Sequence, residues 1–286
     1  WNLHRISHHE QAPPHPGPYN YHFRPAPVNC TTHAYIIDTG IYIGHSEFEG
    51  RASHGYNTIG GGNEDGTGHG THVAGILIGK TFGVWNQGHA VSVKALDSEG
   101  FGTYASVIRA IVWSVNDCNR RGKGRKCVFN LSLVGLKSHS LNDAVEAAYA
   151  AGISVVVAAG NFGELAVDYS PASAHNALTI GAMNIDDQKP RWSNYGIVLD
   201  HFAPGVDIRS AWIAGPNSTA IISGTSMAAP HVAGLVNYLQ CLEGLTIPRM
   251  IRERLEVLAT KKEVSGGGNT SPHRIVYNGG HDALEY

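Results

Sequence analysis

Charge is scarce in this chain, and neither sign prevails. Charged residues make up 15% of the 286, and 21 Lys and Arg against 23 Asp and Glu leave a formal net charge of −2. Without a basic surplus there is no electrostatic footprint for nucleic acid or an anionic membrane surface. Long apolar runs are missing too. The longest, residues 153–159, falls far short of the roughly 20 residues a membrane helix needs, so a soluble protein is expected. No internal repeat, low-complexity tract, Pro/Ser linker or charge run divides the chain, which predicts one domain over residues 1–286. Cysteine is limited to four residues, enough for two disulfides with three possible pairings.

Five short apolar runs, residues 34–38, 91–96, 128–133, 153–158 and 177–182, have the length and composition of buried strands. Between them, residues 103–116 put Val107, Ala110, Ile111 and Ser114 on one helical face, and residues 141–151 do the same with Leu141, Val145, Ala148 and Tyr149. Alternating strand and helix predicts an α/β fold: a single-domain three-layer sandwich with a mostly parallel central sheet and helices on both faces. Functional groups in such sheets gather beyond the carboxyl ends of the strands, and Asp38 and Asn161 both follow strand runs directly. The 35 glycines suit many tight turns. The His- and Pro-rich stretch 8–18 reads as an irregular surface loop.

The run Ser223-Gly224-Thr225-Ser226-Met227-Ala228-Ala229-Pro230, followed by His231-Val232-Ala233-Gly234, reads as a serine exposed at the start of a helix. A hydroxyl is a weak nucleophile unless a base, and a group orienting that base, accompany it. Thr67-Gly68-His69-Gly70-Thr71-His72 supplies a histidine left uncrowded by glycines, and Ala34-Tyr35-Ile36-Ile37-Asp38-Thr39-Gly40 ends a strand in a carboxylate. Each has a plainer reading: Asp38 and Asn161 as turn formers, His69 as a solvated or packed side chain. Combined with Ser226, the chemical reading prevails. His72 lacks a carboxylate at metal-ligand spacing and is assigned to packing. His4, His8, His9 and His15 read as an unstructured histidine-rich tail rather than a metal cluster.

These segments, in the order Asp, His, Ser, together with Glu47-Phe48-Glu49-Gly50-Arg51 and Ser193-Asn194-Tyr195-Gly196, resemble the subtilisin-like serine proteases, most closely their fungal proteinase K branch, from Trp1 to about Tyr277. The resemblance implies a secreted serine endopeptidase with Asp38, His69 and Ser226 as catalytic triad. Asn161 and the Ser226 backbone N–H would form the oxyanion hole. No cofactor is implied for catalysis. Implied partners are protein and peptide substrates, the enzyme's own pro-peptide and proteinaceous inhibitors, with the enzyme a monomer. Opening on Trp1 rather than methionine suits a mature form relieved of its pre- and pro-segments.

By the same resemblance, substrate would lie as an added strand between Gly100-Phe101-Gly102-Thr103-Tyr104 and Ser132-Leu133-Val134-Gly135. The S1 pocket would be bounded by Ser132, Leu133 and Val134 on one side and Ala158, Ala159 and Gly160 on the other. Small uncharged walls suit apolar P1 residues and not the basic ones a kexin-type enzyme takes. Val134 stands where relatives usually carry glycine, and Leu136 where a small residue is common. Both should narrow the entrance between S1 and S4.

A structural calcium ion is also implied, held by the backbone carbonyls of His175 and Ala177 and by the Asp200 carboxylate; the alternative is that Asp200 caps a turn. For the cysteines, all four should lie at the end of the sheet opposite the active site. We expect Cys30–Cys118 and Cys127–Cys241, with four free thiols as the alternative. Of the N-x-Ser/Thr sequons at Asn29, Asn130, Asn217 and Asn269, the third and fourth fall in polar loops and are the better glycosylation candidates. Two other classes compete with the protease: a catalytically silent relative serving as a binding module, and a serine esterase.

Overall fold

All five apolar runs become parallel strands, and two segments of weaker signal complete the sheet. The computed structural model describes residues 1–280 except 26, 28, 123, 263 and 269, so the Asn269 sequon lies outside the described residues. In its first half the chain forms α1 (Asn2–Arg5), β1 (His33–Asp38), β2 (Ala52–Asn57), α2 (His69–Ile78), β3 (His89–Lys94), α3 (Tyr104–Arg120), β4 (Cys127–Leu131), β5 (Gly135–Leu136) and α4 (His139–Ala150). It continues with β6 (Ser154–Ala158), β7 (Tyr169–Ser170), β8 (Leu178–Met183), β9 (His201–Pro204), β10 (Ile208–Ala211), β11 (Thr219–Ile222), α5 (Thr225–Leu242) and α6 (Pro248–Leu258).

The main sheet runs in the order β2-β3-β1-β4-β6-β8-β9, with every neighbouring pair parallel. Side chains alternate between its two faces. From β1, Ala34 and Ile36 enter the layer of α2 and α5, while Tyr35 and Ile37 enter the layer of α3 and α4. Val156 and Ala158 of β6 join the first layer, Val155 and Val157 the second. Burial on both faces is why these strands read as continuous apolar runs. The two overlooked strands carry no such run: β2 is an edge strand with only Ala52 buried, and β9, though buried throughout, has four residues, opens on a histidine and ends in a proline.

The disulfides correct the expected pairing. Cys30 bonds Cys241 and Cys118 bonds Cys127. Cys241 lies in the α2/α5 layer with Cys30 packed against it, whereas Cys118 and Cys127 both lie in the α3/α4 layer. The sheet therefore separates the partners that a shared end of the sheet had suggested.

The histidine-rich N-terminal segment is likewise no unstructured tail. Arg5 is fully buried, its Nε donating to Asp187 Oδ1 at 2.7 Å, and Ile6 is buried in the core. The His4 and His8 rings stack with centroids 3.9 Å apart. Among the described residues no helix is long and apolar enough to cross a membrane.

Candidate active site

The period of two along β1 leaves Asp38 at the carboxyl tip on the side of α2. Its Oδ1 accepts from His69 Nδ1 at 2.7 Å and from the Thr39 amide at 2.8 Å, in full burial. This contact needs α2 to meet the strand tip almost backbone to backbone. A Cβ at Gly70 would stand 2.1 Å from the Gly40 carbonyl oxygen, so only glycine permits the approach. The helix N-cap, Gly68, has no side chain to offer the first-turn amides. Asp65 takes that part from outside: Oδ1 accepts from Gly68 N at 2.9 Å, and Oδ2 from Thr71 N at 2.9 Å. Thr39 Oγ1 donates to the same Asp65 Oδ1 at 2.8 Å and accepts from Gly70 N at 3.0 Å, which locks strand tip and helix together.

Two opposing influences set the His69 pKa. Burial is the largest and pulls it down; the Asp38 charge and hydrogen bond, with a smaller contribution from Asp65, outweigh it, so the net displacement is upward. One helical turn on, His72 is pushed down to about 4, chiefly by burial. Its Nε2 lies 3.1 Å from the Ile208 carbonyl and 3.2 Å from that of Ala220, as expected of a packing residue.

Ser226 sits in the first turn of α5, partly buried. Pro230, within this helix, has no N–H to give the carbonyl four residues back, which belongs to Ser226. Ser132 Oγ fills the gap, donating to that carbonyl at 2.8 Å and accepting from Asn130 Nδ2 at 2.9 Å. The Ser226 hydroxyl itself donates to the Ser132 carbonyl at 3.2 Å rather than to His69. Such bonds commonly tighten only when substrate binds. Asn161 is held by its oxygen, Oδ1 accepting from both the amide and the hydroxyl of Thr225 at 2.9 Å. That orientation leaves Nδ2 as the amide's spare donor.

His69 and Ser226 border a cleft of about 800 Å³. One wall is Gly100, Phe101, Gly102, Thr103 and Tyr104, the other Ser132, Leu133, Val134 and Gly135, with Leu96, Val107 and Leu141 between them. A capping box at the start of α3, Thr103 with Ser106, anchors the first wall. Tyr104 Oη bridges to the second by donating to the Leu136 carbonyl at 2.7 Å. Of the expected site residues, Asp38 stands behind His69. Ala158, Ala159 and Gly160 lie buried beside the cleft rather than lining it.

A model of the subtilase family matches residues 35–277. The chain belongs to the subtilase family. An alkaline proteinase of Hapsidospora chrysogena is 47% identical over 279 residues, spanning 98% of this chain and 67% of that protein. Alkaline protease 1 of Aspergillus clavatus is 46% identical over 279 residues with the same shares. Among solved structures, a cold-adapted subtilisin-like serine proteinase superposes with a TM-score of 0.85 at 37% identity, covering 97% of each chain. This subtilase is a serine endopeptidase.

The calcium donors implied for the subtilase do not fit an ion. Asp200 Oδ1 accepts from Arg252 Nη1, Asp200 Oδ2 from the Thr179 amide at 2.7 Å, and the Ala177 carbonyl from Arg252 Nη2 at 2.7 Å. His175 lies exposed in the preceding turn. Four residues that support the site had no role assigned from the sequence: Thr39, Asp65, Thr225 and Asn194. Asn194 pins the 159–164 segment, its Nδ2 donating to Ala159 O at 3.0 Å and its Oδ1 accepting from Phe162 N at 2.9 Å. An acid just ahead of a glycine-rich helix start is a capping signal that could have revealed Asp65. The others act through long-range contacts.

Proposed function

We propose that this subtilase, as one peptidase unit over residues 1–286, is a secreted endopeptidase cleaving proteins after apolar P1 residues, with Ser226 as nucleophile, His69 as general base and Asp38 as its orienting carboxylate. The observation that carries the reading is the 2.7 Å Asp38–His69 contact at the end of a cleft that also holds Ser226. Ser226 Oγ attacks the scissile carbonyl carbon as His69 Nε2 takes its proton. Asp38, bonded to Nδ1–H, fixes the tautomer and stabilises the imidazolium. The oxyanion is received by Asn161 Nδ2 and the Ser226 N–H, a first-turn amide with no helical acceptor. Collapse expels the amine, which leaves with the His69 proton, and water repeats the sequence on the acyl-enzyme.

Substrate pairs as a strand between the two cleft walls; the uncharged Ser132–Gly135 wall favours apolar P1 groups, while Glu99 lines the cleft at the start of the other wall. The two disulfides suit an oxidising, extracellular setting. A pro-peptide and proteinaceous inhibitors would occupy the same cleft of a monomer. The test is intact mass and peptide mapping after a fluorophosphonate probe. A single adduct on Ser226 that disappears in His69→Ala is expected; no adduct on folded protein would refute the assignment.

A further inference from the structure

The Asp200 carboxylate, the Ala177 carbonyl and Arg252 meet at the end of the sheet opposite the cleft. Ala177 immediately precedes β8, Asp200 immediately precedes β9, and Arg252 lies on α6. The Arg252 guanidinium spans the carboxylate and the carbonyl with its two terminal nitrogens, Nη1 to Asp200 Oδ1 and Nη2 to Ala177 O. A planar fork of this kind matches two oxygen acceptors in a way a lysine cannot. Asp200 is buried and Arg252 three-quarters so, its side chain 24% exposed. Calcium would need these same oxygens at about 2.3–2.6 Å, the space that the guanidinium nitrogens fill. Nor does charge remain to attract a dication. Asp200 is neutralised by Arg252, and the neighbouring Glu256 is paired with Arg274 at 2.8 Å.

We infer that Arg252 stands in the place of the structural calcium ion, joining α6 to the starts of β8 and β9, so that this subtilase holds that corner without metal. The inference is independent of the proposed catalytic residues, because it concerns calcium binding and unfolding alone.

Calcium binding by equilibrium dialysis, and Tm in calcium and in EDTA, test it in a Ser226→Ala background that excludes self-digestion. Asp200→Asn is expected to bind as many calcium ions as the parent. Arg252→Ala is expected to bind one more, with a Tm that calcium raises. Loss of one ion in Asp200→Asn relative to the parent would overturn the inference, since it would mean that calcium displaces Arg252. Equal binding by all three proteins would overturn it as well, because the oxygens freed of Arg252 would then be no calcium site. Should Arg252→Ala fail to fold, the parent and Asp200→Asn decide between them. Should Asp200→Asn fail, the parent and Arg252→Ala decide: one more ion bound by the variant supports the inference and equal binding overturns it.

Discussion

His69 feels two carboxylates, and only one of them was visible as a functional residue in the sequence. Asp38 bonds its ring directly; Asp65 acts through the α2 amides and through its charge. As the proposed general base, His69 must be neutral to accept a proton, so kcat/KM should rise with pH through a pKa above the ordinary value of about 6.5. Asp65→Asn removes the second charge, so the acidic limb should move to lower pH. A pH profile of kcat/KM for both proteins checks this; a limb that stays put or moves up refutes the role. The same displacement has a stability sign. A folded-state pKa above the unfolded one means that protonated His69 stabilises the fold below about pH 6.5, a contribution lost as pH rises through the raised value.

At the scale of elements, the position of Ser226, the proposed nucleophile, depends on helix chemistry as much as on the serine. Pro230 empties the Ser226 carbonyl of its helical partner, and the extended segment after β4 supplies Ser132 to fill it. Helix start and cleft wall are thereby one unit. The same wall carries Val134, whose Cγ2 lies 3.4 Å from where a Cβ of Gly160 would be. Leu136, expected to add to the crowding, is 72% exposed and not part of the cleft lining, whereas Val134 lines it and is the residue to test. Val134→Gly should raise kcat/KM for P1 Phe over P1 Ala peptides, on the order of tenfold, the scale at which a pocket discriminates by a few methylenes. Equal values before and after substitution across P1 Phe, Leu and Ala would discard the idea.

Over the whole molecule, the two disulfides should contribute unequally. Cys30–Cys241 closes a separation of 211 residues and Cys118–Cys127 one of 9. By loop-closure entropy these are worth about 5 and about 2–3 kcal/mol. Thermal melts of the paired Cys→Ala variants should therefore show the larger loss for Cys30/Cys241, and the reverse order would contradict the entropic account. This pairing also marks where sequence reading ended. Strand runs, helix faces and the segments bearing Asp38, His69, Ser226 and Asn161 were legible because they obey local rules of side-chain period, helix starts and strand tips. The edge strand β2 was not, since with little to bury it carries no apolar signature. Which cysteines meet, and that Arg252 reaches Asp200 across 52 residues of chain, were decided by the tertiary structure. Each depends on which face of the sheet a side chain enters and on what the packed layers bring opposite it, and local sequence rules specify neither.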